Sequence, residues 1–397
     1  MFKNNKFEDR YYTNLEKFSD LKKENLFFLP IFPKIEDLKK FIKFNNFINY
    51  KRNFLLPFLY LKFSDYVKGL FSFLFVSHKS LGKVNLNGLD ISFIIKDEIL
   101  SNANNRNSFL GILSYFLFKR LKQNNIEFDK IIDWYENSPL DKGFYYGVNK
   151  YYPKTKTLGY QGFILSHEFN FYFKPEKIEI KNKLSPKVVG IQGDKIRTKF
   201  KSRGENIKLQ LCPAFRYQHL YNFINIRKKN KIKNILIALP IGREEIKKIV
   251  NILNDFFLKY GKKNYNFILS MHPSYNFEKD NHIIKKINKN VSATNKNFIE
   301  LKKKVDLLIS GSSTTCLEAL ALKIPVITVN SSSNIFEDIV KSNLGKDISI
   351  SINSAKDLSF ALERIKYLDK KIQKQHKKIL HGFFCKMTKE KVNEFIT

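Results

Sequence analysis

The sequence predicts an α/β fold made of two domains, each a parallel sheet with helices on both faces. Three observations predict it. Short apolar runs alternate with amphipathic helical stretches along much of the chain, the signature of βαβ units. The alternation restarts after a charged break at 225–233. The 397 residues also exceed what one ordinary core holds, so two domains are the default. The pattern divides the chain into an N-terminal domain over 1–228 with a helical insertion, a second domain over 229–354 and a C-terminal helical segment over 355–397.

Asn25–Phe32 reads as a strand, and the aromatic stretch from Phe41 to Phe75 as helices with lysines between the apolar positions. Asp129–Trp134 is the next strand, Asp141–Tyr152 a helix, and Thr157–Ile164, Lys187–Ile191 and Ile207–Leu211 further strands. In the second half, strands are expected at Asn234–Leu239, Asn266–Met271, Val305–Ile309 and Val326–Val329. Helices are expected at Glu244–Tyr260, Asn281–Lys289 and Cys316–Leu322, and a Lys-rich helix from Ala355 onward.

The hydrophobic fraction is 43%, with 38 Phe and 19 Tyr, which is enough apolar material for two cores. No run reaches the eighteen or more apolar residues of a membrane span. Met1-Phe2-Lys3-Asn4-Asn5-Lys6 leads into charge, so no signal peptide is expected. Cys212, Cys316 and Cys385 are isolated, which points to a reducing, cytoplasmic setting and no metal cluster. The net charge of +34 suggests a polyanion partner. Yet only ten of the 71 basic residues are Arg, the usual reader of phosphate forks and bases. The lysines are spread along the whole chain, so nucleic acid is not the expected partner. An anionic membrane surface fits better.

The most informative stretch is Asp306 to Glu318. An apolar strand empties into Ser310, Gly311, Ser312, Ser313, Thr314 and Thr315, and an apolar helix follows. Such a turn aims backbone N–H groups and hydroxyls at one spot, where the helix dipole favours a phosphate. Serine and threonine are also ordinary N-caps, but four consecutive hydroxyls exceed what one cap needs. Glu318 is placed to accept from ribose hydroxyls or to stabilise the helix start.

Three more clusters fall beyond expected strand ends, where open parallel sheets bind ligands. After Leu239, Gly242 permits close backbone approach and Arg243 can pair with phosphate; a plain turn with a solvated Arg is the alternative. After Met271, His272 can donate to a phosphate or leaving oxygen, and Pro273 stiffens its loop. In the first half, Glu136 and Asn137 follow a strand, and Gln161 lies in Gly159-Tyr160-Gln161-Gly162. Glu136 can deprotonate an acceptor hydroxyl or simply cap the next helix. Gln161 can bind sugar hydroxyls or the backbone. His167 and Glu168 form a rival acid–base pair. Zinc spacing, the Gly-x-Ser-x-Gly elbow and the Rossmann and P-loop glycine patterns are absent from the sequence.

With these residues in view, the second half resembles the C-terminal domain of GT-B glycosyltransferases. His272-Pro273 followed by Ser312-Ser313-Thr314, expected on consecutive strand ends, is similar to the paired elements of bacterial polysialyltransferases, capsular Kdo transferases and CDP-glycerol-type teichoic-acid polymerases. The run Ser310 to Ile327 carries the closest similarity. Trp134 to Asn137, Gly159 to Gly162 and Pro213-Ala214-Phe215-Arg216-Tyr217 resemble surface-carbohydrate biosynthesis proteins of this kind. The similarity spans about residues 129 to 335. The acidic motif expected near the N-terminus is not recognisable, and residues 1–128 carry no resemblance.

The resemblance implies two Rossmann-like domains facing across a cleft, and a metal-independent transferase without a cofactor. Its donor would be a nucleotide-sugar, CMP-linked acidic sugar first and UDP-hexose second. Its acceptor would be a surface polysaccharide or a lipid-linked glycan, met at the cytoplasmic membrane face. His272 and the serine loop would hold the donor phosphate, and Glu136 would activate the acceptor. A UDP-N-acetylglucosamine 2-epimerase of the same fold and a non-enzymatic polyanion- or membrane-binding protein are the rivals.

Overall fold

The structure is a computed structural model of the whole chain. It describes every residue except 1, 4, 5, 8, 10, 23, 24, 32–38, 40–52, 78–81, 104, 165–173, 202–206, 224–231, 262, 263, 273, 274, 276–287, 331–337 and 346.

Among the described residues, three helices of twelve residues or more precede the first of the two large sheets: α1 (Phe63–Ser77), α2 (Ser92–Ala103) and α3 (Arg106–Gln123). Two contacts fix how α1 lies on α3. Buried Asp65 accepts both Arg120 Nε (2.8 Å) and Nη2 (2.7 Å), a bidentate fork that sets orientation as well as charge. Gly69 lets the helices close up, for a Cβ there would lie 3.0 Å from the Phe109 ring.

The first sheet has four parallel strands in simple sequential order: β1 (Lys130–Trp134), β2 (Lys156–Gln161), β3 (Val188–Ile191) and β4 (Lys208–Leu211). Helix α4 (Pro139–Tyr151) follows β1. Ser138 and Asp141 start it with a reciprocal capping box, and Pro139 stands where a missing N–H costs nothing. Helices α3 and α4 cross at three glycines. A Cβ on Gly143 would stand 2.2 Å from the Gly111 carbonyl oxygen, and one on Gly147 2.9 Å from Tyr115 Cα. Only hydrogen fits there. Helix α5 (Asp194–Lys201) follows β3, and a 3₁₀ stretch, Phe215–Phe223, follows β4.

The second sheet contains β5 (Asn234–Ala238), β6 (Asn266–Ser270), β7 (Val291–Thr294), β8 (Leu307–Ser310), β9 (Val326–Val329) and β10 (Ile350–Ile352). All pairings are parallel, in the order β7-β6-β5-β8-β9-β10. The sheet starts at β5, grows one way to β7, then restarts on the other side of β5. Asp306 anchors the restart: its Oδ2 accepts the backbone N–H groups of Lys233 (3.0 Å) and Asn234 (2.9 Å). The inner strands β5, β6, β8 and β9 are near-continuous apolar runs because both faces are covered. Helix α6 (Arg243–Tyr260) buries Ile246, Ile249, Val250, Leu253, Phe256 and Phe257 at helical spacing. Helices α7 (Thr314–Ala321) and α8 (Ile339–Leu344) follow β8 and β9.

Helix α9 (Ala355–Phe383) is 29 residues long and spans about 43 Å. It packs on α6 and α7 of the second lobe and on α5 of the first. Its end is seated on Gly193, where a Cβ would lie 2.5 Å from the Gly382 carbonyl. Cys385 then donates its N–H to Gln192 (2.7 Å) and accepts that of Ala214 (2.9 Å). The last helix, α10 (Lys389–Ile396), buries Val392, Phe395 and Ile396 with Leu158, Tyr160 and Phe215 of the first lobe. The C-terminal segment therefore completes the core of the N-terminal half.

The expected α/β class is borne out, and two parallel Rossmann-like sheets are the arrangement the GT-B class implies. Some elements differ from expectation. Among the described residues of the expected strand Asn25–Phe32, Phe27–Phe28 alone forms a strand, a two-residue bridge to Asn53–Phe54. The strand β7 reads Val-Ser-Ala-Thr, whose polarity suits an edge and hides it from an apolar pattern. Residues 281–287 of the expected helix Asn281–Lys289 and most of the charged linker fall outside the described residues, and Asn288 and Lys289 are not helical.

Candidate functional site

Ligands in open parallel sheets bind where the strand order reverses. In the second sheet that point lies between β5 and β8. The loop after β5 is Pro240-Ile241-Gly242, and the loop after β8 is Gly311-Ser312-Ser313. Gly242 is the N-cap of α6, and Ser313 is the N-cap of α7 with its Oγ accepting Thr315 N–H at 3.3 Å. Two helix N-termini thus flank one crevice.

Glu245, in the first turn of α6, sits inside it. Its Oε1 accepts the Ser312 N–H at 3.4 Å. A Cβ on Gly242 would stand 3.0 Å from its Oε2, and one on Gly311 3.2 Å from its Oε1 and from Pro240. Burial raises its pKa, against the Ser312 hydrogen bond. Sequence reasoning missed Glu245 because an acid two residues past a helix start looks like an ordinary dipole partner. Gly242, Gly311 and Ser312 share this crevice. Arg243 is exposed on the first turn of α6.

Ser310 has a different occupation. It is fully buried in β8, and its hydroxyl donates to the Ala238 carbonyl at 2.7 Å across the β5–β8 ladder. Ser312 through Thr315 are half-buried at the start of α7.

His272 follows β6 and is half-buried. Its carbonyl accepts the Tyr275 N–H (2.9 Å), while Tyr275 Oη donates to the Ile241 carbonyl (2.7 Å), so this loop is tied to the one after β5. The sequence pattern suggested that the His and Ser elements end consecutive strands. In the sheet, β5 stands between β6 and β8, because the second crossover starts again from the other side of β5. Two strand spacings put the two elements about 10 Å apart, with the Gly242 loop between them. Pro273 lies outside the described residues, as do His167 and Glu168.

The first lobe contributes the end of β1 and the 3₁₀ stretch. Trp134 Nε1 donates to Glu136 Oε1 at 2.9 Å, and the Glu136 N–H donates to Asp141 Oδ2 at 3.0 Å. Desolvation, then the Asp141 charge, raises the Glu136 pKa, while Trp134 and Arg216 oppose the rise. The Arg216 guanidinium lies 5.7 Å from the Trp134 ring centre and 5.8 Å from that of Tyr217. Asn137 adopts φ 55°, a left-handed conformation asparagine tolerates. Its amide accepts from Tyr135 Oη (2.9 Å) and donates to the Lys174 carbonyl and Glu179, so it holds the turn that presents Glu136. Gln161 is buried at the end of β2.

Two contacts join the lobes at α7. The 3₁₀ stretch Phe215–Phe223 packs on α7. His219 Nε2 lies 3.1 Å from Glu318 Oε2, while its Nδ1 lies 3.2 Å from the Arg216 carbonyl. Glu318, expected near ribose, is therefore held by the first lobe. Arg216, Tyr217 and His219 gave no signal beyond their resemblance-bearing segment, since their role depends on contacts between lobes. The 3₁₀ stretch thus lies between the turn that carries Glu136, where Arg216 sits over the Trp134 ring, and the hydroxyl-rich start of α7 on which it packs.

No protein-family model and no curated protein matches this sequence. Among solved structures, the chain is similar to S. aureus MnaA with UDP (12% identity, 74% of this chain and 84% of that one, TM-score 0.49). It is similar to the Methanocaldococcus jannaschii UDP-GlcNAc 2-epimerase with UDP-GlcNAc and UDP (16%, 93% and 97%, 0.48). It is also similar to a glycosyltransferase from Rickettsia africae (14%, 84% and 92%, 0.44). The architecture of this chain rests on its own strand order and pairing.

Proposed function

We propose that the chain is a metal-independent glycosyltransferase of the GT-B type that takes a nucleotide-sugar as donor. One observation carries this reading: the reversal point of the second sheet opens between two helix N-termini, lined by Gly242, Gly311, Ser312 and Ser313. Glycines allow close backbone approach, and helix N-termini favour an anion such as a phosphate. Glu245 already accepts one of these N–H groups. Its raised pKa lets it take up a proton beside a phosphate and donate to it. His272 would reach the donor from the far side of the Gly242 loop. Donors aimed at the leaving nucleotide stabilise its developing charge, and Glu136 would take the acceptor proton. The CMP-linked acidic sugar remains the first choice and UDP-hexose the second, with a surface polysaccharide or lipid-linked glycan as acceptor at an inner membrane face. The proposed division of labour is donor binding within 229–354 and acceptor binding within 1–228.

Thermal-shift titration with CMP, CDP, UDP and GDP tests the reading. A ligand at one hundred times its Kd adds about 2.7 kcal/mol to native stability. We expect one nucleotide to raise the melting temperature, His272→Ala to weaken that shift, and Glu136→Ala to keep it while abolishing transfer. A flat response to all four nucleotides refutes the proposal.

A second reading, a nucleotide-sugar 2-epimerase, is favoured by one observation. The structure gathers more acid–base groups than the loops alone offered, with Glu245 and the His219–Glu318 pair both in or beside α7. Release of free nucleotide with an epimerised sugar, without any acceptor, would select it.

A further inference from the structure

We infer that the outward face of α1 and the hairpin that follows it form a docking surface for an anionic lipid membrane. This rests on its own observations and does not depend on the catalytic reading. The Asp65–Arg120 fork and the Gly69–Phe109 approach hold one side of α1 against α3. The opposite side is apolar yet faces solvent: Leu59 is 67% and Phe63 83% exposed, and Leu70 and Phe71 are exposed about two turns on from Phe63. A tight hairpin then pairs Asn85–Leu86 with Leu89–Asp90 around Asn87 and Gly88, both at positive φ. Its flanking residues, Leu86 and Leu89, are also exposed, Leu89 by 70%. A soluble surface helix carries the reverse pattern, and apolar surface of this extent marks an interaction site.

Charge selects the occupant. Between 57 and 89 the sequence holds Lys62, Lys68, Lys79 and Lys83 and a single acid, Asp65. That acid is buried and turned onto Arg120. The first acid beyond is Asp90, 3.9 Å from Lys83, and Asp97 and Glu98 follow on α2. An apolar stripe flanked by lysines, with its one acid turned inward, matches anionic headgroups over an acyl layer. It does not match a second copy of a chain whose net charge is +34. Helix α1 has 15 residues, short of the roughly 20 a span requires. No described helix is long and apolar enough to cross a membrane. The geometry is that of a helix lying in the interface.

Flotation with phosphatidylglycerol–phosphatidylcholine vesicles and with pure phosphatidylcholine vesicles tests this on the full chain. The wild type should float with the anionic vesicles, and binding should fall with salt and be weak on the neutral ones. The variant Phe63→Glu/Phe71→Glu and the hairpin variant Leu86→Glu/Leu89→Glu should each lose more than roughly tenfold in partitioning. Both should keep the wild-type melting temperature, since all four positions are exposed. A wild type that stays unbound, variants that float as before, or equal binding to neutral vesicles would overturn the inference. So would substitutions that dissociate a dimer and leave vesicle binding unchanged.

Discussion

Gly143→Ala tests how the scaffold beneath Glu136 is built. The added methyl would stand 2.2 Å from the Gly111 carbonyl oxygen and 2.6 Å from Gly111 Cα. Both are backbone atoms, so neither can rotate away, and α3 and α4 must separate by about 1 Å. Together the two helices bury Leu117, Phe118, Leu121, Phe144 and Val148. At about 2 kcal/mol for each buried side chain, these contribute about 10 kcal/mol. A gap of this size forfeits a quarter to a half of the contact energy, about 2.5–5 kcal/mol. Alanine regains about 1 kcal/mol of helix propensity over glycine. The net loss is about 1.5–4 kcal/mol, which lowers the melting temperature by roughly 3–16 °C for a lobe of this size. Differential scanning calorimetry reads it directly. Gly82→Ala is the control, because nothing lies within 4 Å of a Cβ there. Propensity alone predicts that Gly143→Ala melts at or above the wild-type temperature, and that result would refute the packing argument.

Ser310→Ala should cost about 1 kcal/mol of stability and leave any nucleotide-induced thermal shift unchanged, which separates a sheet hydroxyl from its ligand-facing neighbours. Asp65→Asn should cost about 1–3 kcal/mol at neutral pH. The Arg120 hydrogen bonds hold the Asp65 pKa below its ordinary value, so its stabilisation is present above the unfolded pKa and fades as pH falls through the folded one. Melting curves between pH 7 and pH 3 should therefore converge for the variant and the wild type. Asp133 runs the other way. Desolvation, then Asp141, raises its pKa, so the folded state favours the protonated carboxyl, and its contribution to stability falls as pH rises above the unfolded carboxylate value near 4. Asp133→Asn should remove that decline, and its melting temperature should gain on the wild type between pH 4.5 and 8; a constant gap would count against a buried neutral acid.

The second half of the sequence was the easier to read, for a physical reason. Its strands are buried on both faces and its helices are amphipathic, so Asn234–Ala238, Asn266–Ser270 and Arg243–Tyr260 fall within a residue of their expected bounds. The hydroxyl-rich turn at 310–315 was equally visible, because composition and position coincide there. Strand order was not visible. That β5 separates β6 from β8 is decided by which side of the sheet each crossover takes, and no local pattern encodes it. The same holds for Glu245, Tyr217 and His219, whose partners are distant in sequence. Polar β7 and the helices α2 and α3 lack a clean apolar period. In α3, the glycine contacts replace that period as the device that specifies packing.

Helix α9 has a mechanical consequence. The rod lies along α6 and α7 of the second lobe while its far end is pinned at Gly193, Gln192 and Ala214 of the first. Together with the His219–Glu318 contact at α7, it couples the two lobes at separate places and resists their sliding or wholesale separation. Cutting the chain after Phe383 would free the rod's tip and loosen that coupling.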